Sequence, residues 1–382
     1  MKPAPAFVVL THEYAPFRGG AGTFCAEVAN AAFADGIDVE VWAPGAPHPE
    51  DLRGVVVRRL GGRGSLRFGD QLRFMAALFR ERHRLKGKRV FLGSVGAHLA
   101  FLWFHRFGLL REIDAVPVFH GSEALRYRRS PGMFKAARRW LEGRAVYASS
   151  RCAARLAEES GLLRGAKKAV VVPCALRQAI RDEADRLLAA PPEEDRASRG
   201  VRPFRILTLA RLHPRKGQVD TAKALALLPP EVRSGLVYQI GGTGDPGYLH
   251  EIELVCRQGR VPFAYLGEIP EEGMAAAYAQ CDLYVMSSRS LARSVEGFGM
   301  TYLEAGALGK AVVGYRSGGV DEAVKDGETG LLVPEGDVTA LSKAIGQLVT
   351  DDALRTKMGE AGKAWARKPD WTTSARILFG KE

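Results

Sequence analysis

The stretch FVVLTHEYAPFRGGAGTFCAEVANAAFADGIDVEVWA, residues 7–43, decides the fold class. It opens with an apolar run, Phe7 to Leu10. A glycine-rich turn follows, Arg18-Gly-Gly-Ala-Gly22, then an alanine-rich helical pattern from Thr23 to Asp35, stopped by Gly36. A second strand, Val39 to Ala43, completes strand, loop, helix, strand, the unit of a parallel α/β sheet. Working outward, further strands are predicted at Arg89–Leu92, Val116–His120, Ala145–Ala148 and Ala169–Val172, with helices at Gln71–Arg84, Met133–Glu142 and Cys152–Ser160.

The stretch Arg186 to Pro203 is polar and rich in turn formers, and reads as a linker. A second α/β series begins after it. Its strands fit Arg205–Ala210, Leu236–Ile240, Phe263–Leu266, Leu283–Met286, Ala311–Gly314 and Gly330–Val333. Helices fit Gln218–Leu228, Gly247–Gln258, Glu271–Gln280, Thr301–Leu308, Val320–Lys325 and Val338–Leu348. The expectation is two doubly wound, Rossmann-like domains, 1–185 and 204–366, facing across a cleft at the carboxyl ends of their strands, where ligands bind in such sheets.

Composition narrows the function. A chain of 382 residues suits two domains. The net charge of +12 is unevenly placed: residues 1–185 carry thirty Lys and Arg against eighteen Asp and Glu, and residues 186–382 carry twenty-five of each. Much of the excess lies in two runs, Arg80 to Arg89 and Arg126 to Arg144. Such a face attracts an anionic acceptor or an anionic membrane surface, or is simply a solvated one. Nucleic acid is disfavoured, because no aromatic-basic interleaving of the kind seen in nucleic-acid modules supports it. Five widely spaced cysteines with no Cys-x-x-Cys pair read as reduced thiols of a cytoplasmic chain. Met1 to Leu10 is too short an apolar run for a signal peptide. The most apolar stretch, Phe91 to Phe104, falls short of the ~20 residues a spanning helix needs. A soluble protein is expected, peripheral at most on the inner face of the cell membrane.

Three motifs carry chemistry. Arg211-Leu-His-Pro-Arg-Lys216-Gly217 follows a strand directly, so Arg211 and Lys216 flank one loop at a carboxyl end and could reach one diphosphate. Glu296-Gly-Phe-Gly-Met-Thr-Tyr-Leu-Glu304 is a glycine-rich turn feeding a helix, whose first N–H groups near Gly299 to Thr301 favour an anion. Glu296 lies in the loop and Glu304 about one turn into the helix, so they would grip different parts of one ligand. His120-Gly-Ser-Glu123 ends a strand of the first domain and places a histidine at the cleft. Gly19, Gly20 and Gly242 sit in turns where a backbone could approach a ligand or simply bend. Zinc-binding His-x-x-x-His, Gly-x-Ser-x-Gly and P-loop patterns are absent, which disfavours zinc hydrolases, α/β-hydrolases and P-loop enzymes.

Taken together these motifs resemble retaining glycosyltransferase family 4, of the GT-B fold, over nearly the whole chain. The stretch Glu296 to Asp337 carries most of the likeness, including Glu296-x7-Glu304, Ala305-Gly-Ala-Leu-Gly-Lys-Ala-Val-Val313 and Ser317-Gly-Gly-Val-Asp-Glu322. Arg211 to Gly217 resembles the family's diphosphate site, Tyr14 to Gly22 its glycine loop, and Val172-Pro-Cys-Ala175 the segment before the linker. The end of the chain, 367–382, resembles the helix that returns to the first domain.

The resemblance implies a nucleotide-sugar donor, UDP- or GDP-linked, with no other cofactor and no metal. Arg211 and Lys216 would neutralise its diphosphate and Glu304 would hold the ribose. Glu296, with Gly297, Phe298, Gly299, Met300 and Thr301, would hold the sugar. Gly20 would approach the phosphates and His120 would orient sugar or acceptor. Anomeric configuration would be retained by a front-face route. The basic first domain points to a phosphate-bearing, lipid-linked or membrane-presented glycan as acceptor. A soluble small molecule such as an antibiotic or aminocyclitol, or a different GT-B reaction such as nucleotide-sugar epimerisation, stands as the alternative. Lys310 replaces the proline usual before Val-Val in the family, and Ala175 follows Cys174 where Asn-Gly is common.

Overall fold

A computed structural model describes residues 6–15, 19–48, 51, 54–62, 64, 66–189, 202–292 and 294–380. Two compact units divide the chain: residues 1–174 with 370–382, and residues 175–369.

In the first unit the strands are β1 (Phe7–Leu10), β2 (Val39–Ala43), β3 (Val56–Arg59), β4 (Arg89–Leu92), β5 (Asp114–Phe119), β6 (Ala145–Ala148) and β7 (Lys168–Val171). They form one seven-stranded sheet in the order β3-β2-β1-β4-β5-β6-β7, and every pairing is parallel. Helices on both faces bury the inner strands, which is why Val39–Ala43 is buried at every position, Glu40 included. The strand order reverses between β1 and β4, and the loops that leave their carboxyl ends define that edge of the unit. The edge strand β3 was not expected. Half-exposed and carrying Arg58 and Arg59, it lacks the apolar signature of its neighbours.

The helix Val95–Arg106 was also not expected. It is buried on most of its surface, so it shows no amphipathic stripe by which to read it. The last helix, Trp371–Phe379, belongs to this unit. Phe379 packs edge-on against Phe7 and Phe91, with ring centroids at 5.3 and 5.1 Å, and Trp371 packs against Phe24 at 5.6 Å. Ser374 Oγ donates to the Pro173 carbonyl at 2.6 Å.

The second unit repeats the plan with β8 (Phe204–Leu209), β9 (Leu236–Gly241), β10 (Phe263–Gly267), β11 (Leu283–Met286), β12 (Val312–Arg316) and β13 (Gly330–Pro334). The order is β10-β9-β8-β11-β12-β13, again all parallel, with the reversal between β8 and β11. Its core runs from Ile206 and Tyr238 to Val313, Ile345 and Leu348.

The division falls at Ala175, not at Arg186. The helix Gln178–Ala189 packs on the helices Glu271–Gln280 and Met300–Ala307, so residues 175–185 go with the second unit. Residues 190–201 of the expected linker lie outside the described residues. All five cysteines are buried and outside any disulfide. Among the described residues no helix is long and apolar enough to cross a membrane.

Candidate functional site

The site of the second unit is built from the loops after β8, β11 and β12. The loop after β8 makes one tight turn at Pro214–Lys216, capped by the His213 ring, which accepts the Arg215 N–H at 3.1 Å. Gly217 then adopts a left-handed φ of 72° and starts the helix Gln218–Ala226. The turn lies hard against the end of β11. Ser287 Oγ donates to the Gly217 carbonyl at 2.7 Å, and the Arg289 N–H donates to the Arg215 carbonyl at 2.7 Å. A Cβ at Gly217 would be driven into the Ser287 carbonyl.

Glu296 is fixed from the other side. Its carbonyl accepts the Gly319 N–H at 2.9 Å, and Gly318, with a φ of +59°, leaves no room for a Cβ beside it. The Glu296 carboxylate then meets three donors at Oε2: Lys216 Nζ at 2.6 Å, Arg215 Nη1 at 2.8 Å and Ser288 Oγ at 3.1 Å. Burial alone would raise its pKa, but Lys216 and Arg215 outweigh burial and hold it at about 2. Burial lowers the pKa of Lys216, against the pull of Glu296.

Of the two cations expected to clamp a diphosphate, Lys216 is thus committed to Glu296. Arg211 is exposed and has no ion pair among the described residues. Sequence reasoning missed Arg215. It sits in a run of basic residues, and only the turn shows that its side chain is directed into the fold.

Gly297, Phe298 and Gly299 form the turn into the helix Met300–Ala307. Gly299 is the N-cap at a φ of 93°, so Met300 and Thr301 head the helix where backbone N–H groups lack intrahelical acceptors. Glu304 follows on the same helical face as Met300 and Thr301. It is 2% exposed. Its Oε1 accepts from Arg177 Nε at 2.7 Å and its Oε2 from the Tyr278 hydroxyl at 2.8 Å. Neither partner was legible in the sequence, since Arg177 is 127 positions away. Gly242 takes a φ of 132° against the Ala210 carbonyl, and its N–H is donated to the Gly267 carbonyl at 2.7 Å. Its amide is therefore spent on packing two loops together.

In the first unit the expected residues lie after β1 and β5. Gly19 is the N-cap of the helix Gly20–Ala34, so the helix starts three residues earlier than expected and Gly20 opens it. A Cβ on Gly19 would meet the Glu13 carboxylate. His120 follows β5. Its Nε2 faces the Gly93 carbonyl at 3.0 Å and must donate, which leaves Nδ1 to accept from the Ser149 hydroxyl at 3.0 Å. Burial lowers its pKa to about 4, so the ring is neutral near pH 7. Both ring nitrogens are held by the fold, which orients the imidazole but gives it no unengaged nitrogen.

Two doubly wound units, one with a cation loop beside a glycine-rich turn and helix start, define the GT-B class of glycosyltransferases. Residues 191–365 match the family described as Glycosyl transferases group 1, and residues 18–176 match Glycosyltransferase Family 4. The chain belongs to this glycosyltransferase family. A GDP-mannose-dependent alpha-(1-6)-phosphatidylinositol monomannoside mannosyltransferase of Mycolicibacterium smegmatis is 37% identical over 196 residues, 49% of this chain and 50% of that protein. A D-inositol 3-phosphate glycosyltransferase of Kribbella flavida is 30% identical over 292 residues, 71% and 66% of the two chains. The chain spans about half the length of the first of these relatives. HepE of Anabaena, solved in complex with UDP and glucose, superposes with a TM-score of 0.75 at 18% identity over 98% of both chains. A sucrose-phosphate synthase of Thermosynechococcus elongatus superposes with a TM-score of 0.74 at 20% identity, over 99% of this chain and 100% of that one.

Proposed function

We propose that this protein transfers a sugar from a nucleoside diphosphate sugar, with retention and without a metal, to an acceptor that bears a phosphate or is presented at a membrane. One observation carries the reading. Arg211, Arg215 and Lys216 bring three cations to one loop, and among the described residues Glu296 is the one carboxylate paired with that loop. Two positive charges are left over, the number that a sugar diphosphate ester carries as negative. Those cations act most strongly as the diphosphate leaves with growing charge. The free first turn at Met300 and Thr301 adds backbone donors for an anion. Glu304 takes the ribose hydroxyls, and Glu296 the sugar.

A thermal-shift series with UDP, GDP and their sugars tests this. One base class should raise the melting temperature, by the equivalent of about 2.7 kcal/mol at a ligand concentration 100 times Kd. No shift with either class would remove the reading. Arg211→Ala should weaken that shift and lower transfer while leaving the unliganded melting temperature in place, because its exposed side chain is not used by the fold.

The acceptor side rests on the first unit. The helix Pro131–Leu141 buries Ala137, Trp140 and Leu141 and exposes Lys135, Arg138 and Arg139. Near its start, Arg106 lies beside Gly132 and over the Phe107 ring. Phe107 and Trp103, 59% and 46% exposed, stack edge to face beside it. Cations with exposed aromatics suit an anionic bilayer surface, at roughly 1 kcal/mol per cation. The mannosyltransferase relative is named for a phosphatidylinositol-based acceptor, which supports the same reading. The relative named for D-inositol 3-phosphate favours a soluble phosphorylated cyclitol as the second reading. Liposomes separate the two. Pelleting with anionic but not neutral vesicles, lost in high salt and reduced by Arg138→Glu with Arg139→Glu, is expected of the first. Failure to pellet with either vesicle leaves the cyclitol.

A further inference from the structure

We infer that Arg177 is a positioning residue for the donor's ribose, acting through Glu304. The inference rests on the reading of Glu304 given above, and adds a residue that no motif of the chain marks.

Arg177 is the third residue of the second unit and immediately precedes the helix Gln178–Ala189. It is 7% exposed. Its guanidinium is spread over three neighbours: Nε to Glu304 Oε1 at 2.7 Å, Nη1 to Glu271 Oε1 at 3.3 Å and Nη2 to Met274 Sδ at 3.2 Å. The Tyr278 hydroxyl closes the arrangement on the other oxygen of Glu304.

A carboxylate as buried as Glu304 is costly unless it is paired and hydrogen-bonded, and a neutral acid there would be a far weaker acceptor for hydroxyl groups. Arg177 supplies the paired charge, with its Nε 2.7 Å from Oε1. Geometry adds a second effect. An ionised carboxylate has about four acceptor positions. Arg177 and Tyr278 occupy one on each oxygen, which fixes the rotation of the carboxyl plane. One position on each oxygen remains, spaced for the two hydroxyls of a vicinal diol. Because Glu304 shares a helical face with Met300 and Thr301, the diol it selects lies about one turn from the anion-binding helix start. That is the separation a nucleotide's ribose and phosphate require.

A purely structural ion pair would make a different prediction from a positioning one. If Arg177 only held the helix Gln178–Ala189 in place, its loss would weaken every nucleotide alike. If it positions Glu304, its loss removes the preference for the ribose hydroxyls. The test is calorimetric titration of the full chain with UDP and GDP and with their 2′,3′-dideoxy counterparts. Wild type should prefer the ribose form of its nucleotide by about tenfold or more, as expected for hydrogen bonds to a charged acceptor. Arg177→Met should bring the ratio to within about threefold, as should Glu304→Gln, and the double variant should add nothing further.

Should Arg177→Met fail to fold, Arg177→Lys decides the matter. An ammonium keeps the charge but cannot fork between Glu304 and Glu271, so the ratio should fall at least about threefold. An unchanged ratio in the variants, with both nucleotides weakened equally, overturns the inference and leaves Arg177 structural. A wild type that binds ribose and dideoxy forms equally overturns it too. A wild type that binds neither nucleotide defeats the proposed function itself.

Discussion

Lys216→Ala is expected to lower kcat/KM for sugar transfer by roughly 10²–10³-fold, the cost of removing one preorganised charge from a developing anion. The effect should fall on kcat more than on KM, because the diphosphate gains charge as the sugar leaves. Lys216 is held by Glu296 at 2.6 Å, so its ammonium is already in place before a donor arrives. Glu296 would still keep Arg215 at 2.8 Å and Ser288 at 3.1 Å, so the variant should fold. A Lys216→Ala enzyme with wild-type kcat/KM would remove Lys216 from the site.

Glu296→Gln is the companion experiment, and it carries a pH signature. The folded-state pKa of Glu296 is depressed from 4.5 to about 2. Its contribution to stability is therefore fully present above about pH 4.5 and is lost as pH falls toward 2. Wild type should lose stability across that window more steeply than Glu296→Gln. At pH 7 the variant should be less stable by about 3–5 kcal/mol, the range for breaking a buried pair, since two cations lose their carboxylate. Parallel urea titrations at pH 7 and pH 3 read both. Equal pH slopes in the two proteins would show that the Glu296 pair does not form.

Gly217→Ala is the second large effect. The new Cβ would collide with the Ser287 carbonyl, a backbone atom that cannot swing aside, and alanine would also have to hold a φ of +72°. Gly36 and Gly267 provide the control. Their φ values are +74° and +68°, and nothing lies within 4 Å of a Cβ at either. Alanine at those two positions should cost only the left-handed penalty, about 1–2 kcal/mol. At Gly217 the cost should exceed that by at least about 2 kcal/mol, as clash adds to strain. Any fraction that folds must part the loops after β8 and β11, moving Lys216 away from Glu296. Nucleotide-dependent thermal stabilisation should then be lost in Gly217→Ala and kept in Gly36→Ala. Equal costs at all three positions would show that the two loops are not in contact.

The contrast between these residues shows what a sequence can and cannot convey. Strands buried on both faces announce themselves as apolar runs, and the glycines at 217, 299 and 318 mark turns whichever partner they face. The Glu296 turn and the helix start at Met300 were legible because they are local. Arg215 was not, because the side of a turn on which a side chain falls depends on backbone angles that its neighbours in sequence do not fix. Arg177 was not, because its charge is answered by residues 94 and 127 positions away. The helix Val95–Arg106 escaped for the opposite reason: enclosed nearly all round, it has no polar face to set its period. His120 was read as reaching for a ligand. Its position at the end of β5 was visible, but the Gly93 carbonyl and Ser149 hydroxyl that hold its two nitrogens belong to other loops of the sheet.

The placement of Trp371–Phe379 in the first unit has a consequence for how such a protein can diversify. The second unit is one continuous run, Ala175 to Pro369, set inside a first unit that owns both flanks. The second unit could therefore be exchanged as a single cassette, with two junctions beside Cys174 and Asp370. The packing of the first unit would pass through such an exchange intact, because Phe379, Trp371 and Ser374 stay with the aromatic and backbone partners they already have.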